Sequence, residues 1–242
     1  MKLDILAFGA HPDDVELSCA GMLLAEKAHG KNTGIIDLTE GELGSRGSVE
    51  TRYLESAKAA QILGLTVREN LQLKDGFFQS DIDTQMKVVR VIRKYRPEIV
   101  FCNAPEDRHP DHGRAAQLVA DACFLSGLLK IVTTDEHGEQ AHWRPKYVMH
   151  YIQDRFIEPD FLYDISPFFE AKMEAIKSYS TQFFNPSQEG PETYISKPEF
   201  LESINGRNKL LGKRIGVAYA EGFITKKIIG IQNLDAVIQH NT

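Results

Sequence analysis

Short apolar runs alternate with longer segments of helical periodicity in the first half of the chain. Residues 3–8 are apolar and lead into Gly9, which is typical of a buried strand, and apolar positions recur at helical spacing from Val15 onward. The same order repeats, which predicts strands over residues 33–38, 67–73 and 99–102 and helices over residues 51–63, 81–95 and 115–125. Strands that alternate with helices predict a Rossmann-like α/β fold, a three-layer sandwich around a mostly parallel sheet.

The pattern becomes less regular after Gly127. It predicts strands over residues 147–152, 161–165 and 222–231 and helices over residues 167–179 and 199–211. The segment 182–198, which contains Pro186, Gly190 and Pro191, is expected to be irregular and to act as a lid or as a subunit contact. No internal repeat or linker interrupts the sequence, so we expect one domain over residues 1–242 with a more irregular C-terminal third.

Two clusters of polar side chains follow predicted strands. His11, Asp13 and Asp14 come directly after the first strand, and the turn at residues 106–112 follows the strand at 99–102. If these two parallel strands are neighbours, both turns lie at the carboxyl edge of the sheet, where α/β proteins bind ligands. Histidine and aspartate are also the side chains that metal ions prefer. The two clusters together therefore favour a metal or catalytic site.

A simpler interpretation is that the acidic residues cap helices. Asp13 and Glu16 have the spacing of a capping box, Asp111 could cap the later helix, and Pro110 is a typical first helical residue. Negative charge at a helix N-terminus is worth about 0.3–1 kcal/mol. Capping would make the protein a non-catalytic sugar- or nucleotide-binding module. Capping explains one aspartate of the first turn but not His11 as well, and the chain lacks the phosphate-binding glycine motifs.

The same motifs resemble those of a known enzyme family. Residues 10–14, Ala-His-Pro-Asp-Asp, and 109–112, His-Pro-Asp-His, are similar to the paired signatures of the LmbE-like, or PIG-L, zinc-dependent N-acetylglucosamine deacetylases. Residues 38–47 and 220–223 are similar to that family too, and the resemblance is closest to the branch that acts in bacillithiol biosynthesis. It implies a metal-dependent N-deacetylase whose substrate is N-acetylglucosaminyl malate. A chitobiose-type sugar or an antibiotic intermediate is the alternative substrate.

The resemblance also implies a role for each residue of the two turns. His11, Asp14 and His112 match the zinc ligands, which leaves a fourth position for water. Asp13 matches the general base. His109 matches the group that stabilises the oxyanion or acts as an acid, and Asp111 is expected to orient the His109 ring and to favour the charged form of that ring. Two imidazoles and a carboxylate also suit Fe²⁺, so an iron(II) oxidoreductase is the alternative from a different class.

Arginines are the candidates for binding an anionic group on the substrate, because guanidinium forms paired hydrogen bonds with a carboxylate. Arg108 is next to His109, and Arg52 follows the glycine-rich loop at a position that the closest branch of the family retains. Arg144 is a further candidate. Tyr194, in the predicted irregular segment, resembles a pocket residue of that branch.

Composition excludes several kinds of partner. Lys and Arg number 28 and Asp and Glu 34, so the formal net charge is −6, and we expect no nucleic-acid or membrane partner. No apolar stretch reaches the ~18 residues of a transmembrane helix. The first residues lack a signal-peptide pattern, so we expect a cytoplasmic protein. The three cysteines lack C-x-x-C spacing, so we expect them to be buried free thiols: Cys19, Cys102 and Cys123. The family resemblance also implies that the substrate is an amino sugar and that the protein forms a homo-oligomer.

Overall fold

The computed structural model of the protein describes residues 1–187 and 190–237. Its strands are β1 (Ile5–Gly9), β2 (Thr33–Thr39), β3 (Val67–Leu73), β4 (Ile99–Cys102), β5 (Thr134–Asp135), β6 (Gly138–Glu139), β7 (Tyr147–Tyr151), β8 (Phe161–Asp164) and β9 (Ala220–Thr225). Its helices are α1 (Asp14–Ala28), α2 (Val49–Leu63), α3 (Ile82–Tyr95), α4 (Pro110–Leu125), α5 (Phe169–Lys177) and α6 (Pro198–Ile215). The strands predicted over residues 67–73 and 99–102 have the predicted bounds.

The sheet has the order β3-β2-β1-β4-β7-β9-β8. The first five of these strands pair in parallel, whereas β9 is antiparallel to both β7 and β8. The prediction of a mostly parallel α/β fold is therefore confirmed. The chain leaves β1 toward β2 and β3 on one side and later returns to place β4 on the other side. This reversal opens a crevice at the carboxyl ends of β1 and β4, which is where such sheets bind ligands.

The two faces of the sheet are covered by different helices. Leu6 and Phe8 of β1 pack into a cluster with residues of α3 and α4, whereas Ile5 and Ala7 pack into a cluster with residues of α1. α5 packs against both α1 and α2 on that second face. Because both faces are buried, β1 and β4 are apolar along their whole length instead of alternating with polar residues.

The C-terminal half differs from the prediction in three places. The strand expected over residues 222–231 is β9, which begins earlier, at Ala220, and ends at Thr225. The helix expected over residues 167–179 is a 3-10 turn at Ser166–Phe168 followed by α5. The antiparallel pair β5–β6 was not predicted. The segment 182–198 is irregular apart from a 3-10 turn at Tyr194–Ser196, and its residues 188–189 lie outside the described ranges.

No helix in the described ranges has both the length and the apolar character needed to cross a bilayer. All three cysteines are buried and unpaired, as expected.

Helix α1 is interrupted at Cys19, whose φ of −144° and ψ of 17° are not helical. A buried ion pair fills the break: Lys172 Nζ donates to Glu221 Oε1 at 2.6 Å and to the backbone oxygen of Leu17 at 3.1 Å. The Glu221 carboxylate in turn accepts hydrogen bonds from two backbone N–H groups beyond the break. Backbone groups on both sides of the interruption are thus satisfied. The break separates the first turn of α1, which begins at Asp14, from the rest of the helix.

Candidate active site

The two polar turns meet at one edge of the sheet. β1 and β4 are neighbours, with Ala7 opposite Phe101, so the residues that follow the two strands converge. His112 Nε2 lies 3.1 Å from Asp14 Oδ1, and His11 Nδ1 lies 3.6 Å from Asp14 Oδ2. The ring centroids of His11 and His112 are 5.7 Å apart. The structure therefore brings together the three residues that the motifs suggest as metal ligands.

This donor set fits a divalent cation. Tetrahedral zinc, with bonds of about 2.1 Å, places its ligand atoms about 3.4 Å apart. His112 Nε2 lies 3.1 Å from Asp14 Oδ1 and His11 Nδ1 lies 3.6 Å from Asp14 Oδ2, so each ring is near that distance from a different oxygen of the carboxylate. Two groups bring one ligand atom from each of three residues within 4.8 Å of one another: His11, His109 and His112, and His11, Asp75 and Asp111. The first of these groups shares both histidines with the set that the motifs suggest. We favour Asp14, because its carboxylate contacts both rings and its charge offsets that of a cation.

Hydrogen bonds hold the Asp14 carboxylate in place. Oδ2 accepts from the backbone N–H of His11 at 2.9 Å and from Asn103 Nδ2 at 3.0 Å, and Oδ1 accepts from Gln153 Nε2 at 3.1 Å. Burial opposes ionisation of this carboxyl, but the charges of His112 and His11 hold the pKa of Asp14 well below its usual range. Asp14 is therefore an ionised carboxylate whose position is fixed before any ligand binds.

A further carboxylate orients each imidazole. His11 Nε2 lies 3.0 Å from Asp75 Oδ1, and His112 Nδ1 lies 2.5 Å from Asp107 Oδ2. Each ring thus keeps its other nitrogen directed at Asp14, an arrangement typical of metal-binding histidines. Burial works against the charged ring, but Asp14 and Asp107 raise the pKa of His112 to about 9. Without a metal ion the cluster holds protons that a cation would replace.

Sequence reasoning missed these orienting residues. Asp107 lies inside the second polar turn but was given no role of its own there. Asp75 follows β3 at the same edge of the sheet, so the rule that singled out the two turns, a strand followed by an acidic residue, also applies to it.

Asp111 contacts a different histidine from the predicted one. Its carboxylate lies 3.5 Å from His11 Nε2 and forms an ion pair with Arg114. His109 Nδ1 instead accepts a hydrogen bond from the backbone N–H of Asp111 at 3.3 Å. Burial, together with the charges of His11 and His112, lowers the pKa of His109 despite the nearby Asp111 charge. The prediction that the Asp111 carboxylate orients the ring of His109 is therefore wrong.

Asp13 lies beside the metal-ligand cluster on a strained backbone. Its φ of 122° is rare for a residue with a side chain. Arg52 Nη1 donates to the Pro12 carbonyl at 2.7 Å and to Asp13 Oδ2 at 3.1 Å, and Arg52 Nη2 donates to Gln182 Oε1 at 2.6 Å. Burial raises the pKa of Asp13 to about 7, against the opposing charge of Arg52. Arg52, predicted to bind substrate, is thus bonded to Asp13 and the strained turn.

The predicted capping box between Asp13 and Glu16 is absent. The Asp13 side chain makes no capping hydrogen bond to α1. Glu16 Oε1 accepts instead from Arg68 Nη1 at 2.5 Å and from the Tyr179 hydroxyl at 2.9 Å. Arg68 also binds Asp37 of β2 at 2.8 Å. Glu16 therefore anchors the first turn of α1 to β3 and to the segment after α5.

The cluster lines a cavity of about 650 Å³, which is large enough for a small-molecule ligand. At its wall, the Arg108 guanidinium lies 4.3 Å from the ring centre of Tyr194, and both side chains bind Asp154, at 3.3 and 3.0 Å respectively. Arg144 lies outside the cavity: its Nη2 donates to the Phe124 carbonyl at 3.0 Å and its guanidinium covers the Phe124 ring. The structure therefore removes Arg144 from the predicted substrate-binding residues.

Comparison with known proteins identifies the family. Residues 6–123 match the family model described as PIG-L: GlcNAc-PI de-N-acetylase. The uncharacterized deacetylase YaiS of Escherichia coli is 31% identical over 49% of this chain and 67% of its own length. The chain belongs to the PIG-L family. The diacetylchitobiose deacetylase of Thermococcus kodakarensis is 28% identical over 90% of this chain and 81% of that protein. The PIG-L relationship places the chain among the deacetylases, a class of hydrolases.

Solved structures agree on the PIG-L fold. The conserved protein TT1542 from Thermus thermophilus has 35% identity and a TM-score of 0.84, covering 95% of this chain and 98% of its own. GalB, a 4-carboxy-2-hydroxymuconate hydratase from Pseudomonas putida, has the same fold at 21% identity and a TM-score of 0.77. The match covers 97% of this chain and 100% of the GalB chain. Because the hydratase has the same fold, the reaction has to be argued from the side chains of the site.

Proposed function

We propose that the protein is a zinc-dependent hydrolase that removes the N-acetyl group from an N-acetylglucosamine conjugate. The observation that carries the proposal is the arrangement of Asp13 beside the cluster of His11, Asp14 and His112 within a substrate-sized cavity. It combines a set of metal ligands with a buried carboxylate that is paired with Arg52 and not with an imidazole.

Zn²⁺ held by His11, Asp14 and His112 would polarise the acetamide carbonyl and lower the pKa of a water molecule. Asp13 has the position of the base that takes a proton from the attacking water. Its carboxylate is buried beside the ligands, and Arg52 fixes the orientation of the side chain. The proton on Asp13 can then pass to the nitrogen of the leaving amine, so that the base is regenerated.

His109 is the proposed hydrogen-bond donor to the oxyanion. Its Nδ1 accepts a hydrogen bond from the backbone N–H of Asp111, so a neutral ring carries its proton on Nε2. The residue lines the same cavity as Asp13. A donor that is fixed before the reaction stabilises the negative charge that develops on the carbonyl oxygen.

For the substrate, we propose N-acetylglucosaminyl malate. The cavity of about 650 Å³ leaves room for a substituent beyond one sugar ring. Arg108 and Tyr194 lie together on its wall, where they could contact a polar substituent. The relative from Thermococcus kodakarensis is named for diacetylchitobiose, so a chitobiose-type sugar is the alternative substrate.

The test is acetate release by protein that has been stripped with a chelator and reloaded with Zn²⁺ or Fe²⁺. N-acetylglucosaminyl malate, diacetylchitobiose and methyl N-acetylglucosaminide form the substrate panel, and the stripped protein is the control. The proposal expects acetate only from the reloaded protein, with the malate conjugate turned over fastest. No acetate from any N-acetylated sugar with either metal would refute deacetylation. Oxygen uptake by the Fe²⁺ form would point to the oxidoreductase alternative.

A further inference from the structure

Arg207 lies on the face of α6 that lines the cavity. The cavity-lining residues of this helix recur at helical spacing: Phe200, Ser203, Ile204, Arg207 and Leu210. The guanidinium of Arg207 donates to the backbone oxygens of Gln153 and Leu17, to the latter at 2.9 Å. Gln153 in turn binds the Asp14 carboxylate, and Leu17 lies one helical turn beyond Asp14. Arg207 is therefore close to the reacting end of the cavity.

Three arginines line this cavity, and their charges are balanced differently. Arg52 is paired with Asp13 at 3.1 Å, and Arg108 is paired with Asp154 at 3.3 Å. Among the residues that the structure describes, Arg207 has no carboxylate oxygen within 4.0 Å of its guanidinium, and its two acceptors are neutral carbonyls. The nearest carboxylates, those of Glu221, Asp154 and Asp107, thus act on Arg207 at a distance and form no ion pair with it, although the side chain is partly buried.

The guanidinium also has unused N–H groups. Its Nη1 and Nη2 donate to the two carbonyls, whereas its Nε has no acceptor among the described residues. The neighbouring side chains of the α6 face are mainly apolar, such as Phe200 and Ile204. A guanidinium that lines a cavity and keeps an N–H group without an acceptor is suited to hydrogen bonds with an oxyanion.

We propose that Arg207 determines specificity by binding an anionic group, a carboxylate or a phosphate, carried by the substituent of the N-acetylated sugar. This inference rests on the proposed function, since it assigns a substrate class to the same cavity. It also assigns anion recognition to a residue that the sequence did not single out, whereas the arginines that the sequence suggested were Arg52, Arg108 and Arg144.

The competing explanation is that Arg207 only ties α6 to the first turn of α1. In that case its loss would disturb Asp14 through Gln153 and would slow every substrate equally. Anion binding, in contrast, predicts a loss confined to charged substrates. The effect would appear in KM, because the contact is made in the bound substrate as well as in the transition state.

The experiment compares N-acetylglucosaminyl malate, N-acetylglucosamine 1-phosphate and methyl N-acetylglucosaminide in the wild type, Arg207→Met and Arg207→Lys. Lys213→Met, an exposed substitution on the same helix, is the matched control. We expect kcat/KM for the anionic substrate, malate or phosphate, to fall about 10- to 100-fold in Arg207→Met, mainly through KM, while the methyl glycoside changes little. Arg207→Lys should recover part of the loss, and Lys213→Met should show none. Equal losses for all three substrates would overturn the proposal.

A binding measurement tests anion recognition by Arg207 separately from deacetylation. Calorimetry of the unreacted glycosides with the zinc-loaded protein reports anion recognition even if no acetate is released. Tighter binding of an anionic glycoside than of the methyl glycoside, lost in Arg207→Met, would support Arg207 even where deacetylation fails. No such preference in the wild type would overturn the proposal on Arg207.

Discussion

Replacing Asp13 by Asn separates the proposed general base from the metal ligands. Asparagine keeps the shape of the side chain and an oxygen that can accept from Arg52, but it cannot take a proton. Arg52 also retains its hydrogen bonds to the Pro12 carbonyl at 2.7 Å and to Gln182 Oε1 at 2.6 Å. The strained turn should therefore persist, because asparagine tolerates positive φ better than most residues.

The magnitude of each effect follows from these contacts. Asp13→Asn removes one charge-assisted hydrogen bond and also the cost of burying a carboxylate, so the free energy of unfolding should change by no more than about 1–2 kcal/mol. Loss of a general base slows the chemical step by about 10²–10⁴-fold, which corresponds to about 3–5 kcal/mol of activation free energy. Neither effect removes a ligand, since Asp13 is not in the proposed ligand set.

The assay is zinc stoichiometry and acetate release measured on the same preparations. Asp13→Asn should bind about as much zinc as the wild type and lose at least about a hundredfold in kcat. His112→Ala should lose zinc, because it removes one of three ligands. Asp83→Asn, an exposed substitution of the same chemical type, is the control for the loss of a negative charge. Equal zinc loss in Asp13→Asn and His112→Ala would refute this division of roles, and so would an Asp13→Asn variant of nearly normal kcat.

Three further predictions concern residues around the site. Asp75→Asn removes the charge that orients His11 and should weaken zinc affinity about 10- to 100-fold in a chelator competition; unchanged affinity would contradict the orienting role. Lys172→Met leaves Glu221 buried without its cation and should lower the free energy of unfolding in urea by about 3–5 kcal/mol; a loss below 1 kcal/mol would contradict that pairing. In α6, Gly212→Ala would place a Cβ 2.8 Å from backbone atoms and should destabilise by about 1–3 kcal/mol. Gly206→Ala meets open space and should stabilise by about 0.5–1 kcal/mol, so equal effects of the two would refute the packing argument.

Most of the first half of the fold could be predicted because β1, β2 and β4 are buried on both faces. Such strands are continuous apolar runs, and the helices between them carry clear boundaries, such as the left-handed Gly64 that ends α2. The last strand was harder to locate, because Glu221 makes its beginning look polar. The contacts that bury Glu221 come from Lys172 and α1, which are distant in sequence.

The site could be predicted to the level of its two turns but not to the level of its contacts. Neighbouring parallel strands were enough to bring His11 and His112 together. The pairing of carboxylates with imidazole rings depends on the conformation of the loops. Asp111 contacts His11, for example, because the backbone N–H of Gly76 donates a hydrogen bond to the Asp111 carboxylate. Arg207 could not be recognised, since an isolated arginine on an amphipathic helix resembles a solvated surface residue.

The distribution of charge explains why a cation belongs at this position in the fold. Other buried acids beside α1 are matched by a cation from a neighbouring element, as Asp13 is by Arg52. Asp14, Asp75 and Asp107 are different, because their ion-pair partners in the described ranges are the two imidazoles of His11 and His112. Three carboxylates sharing two titratable rings keep an excess of negative charge even when both rings are protonated. A divalent ion bound to one nitrogen of each ring would replace those two protons with an equal charge, so the three carboxylates would stabilise the ion as they stabilise the protonated rings. The acids that orient the rings therefore also supply the electrostatic attraction for the metal.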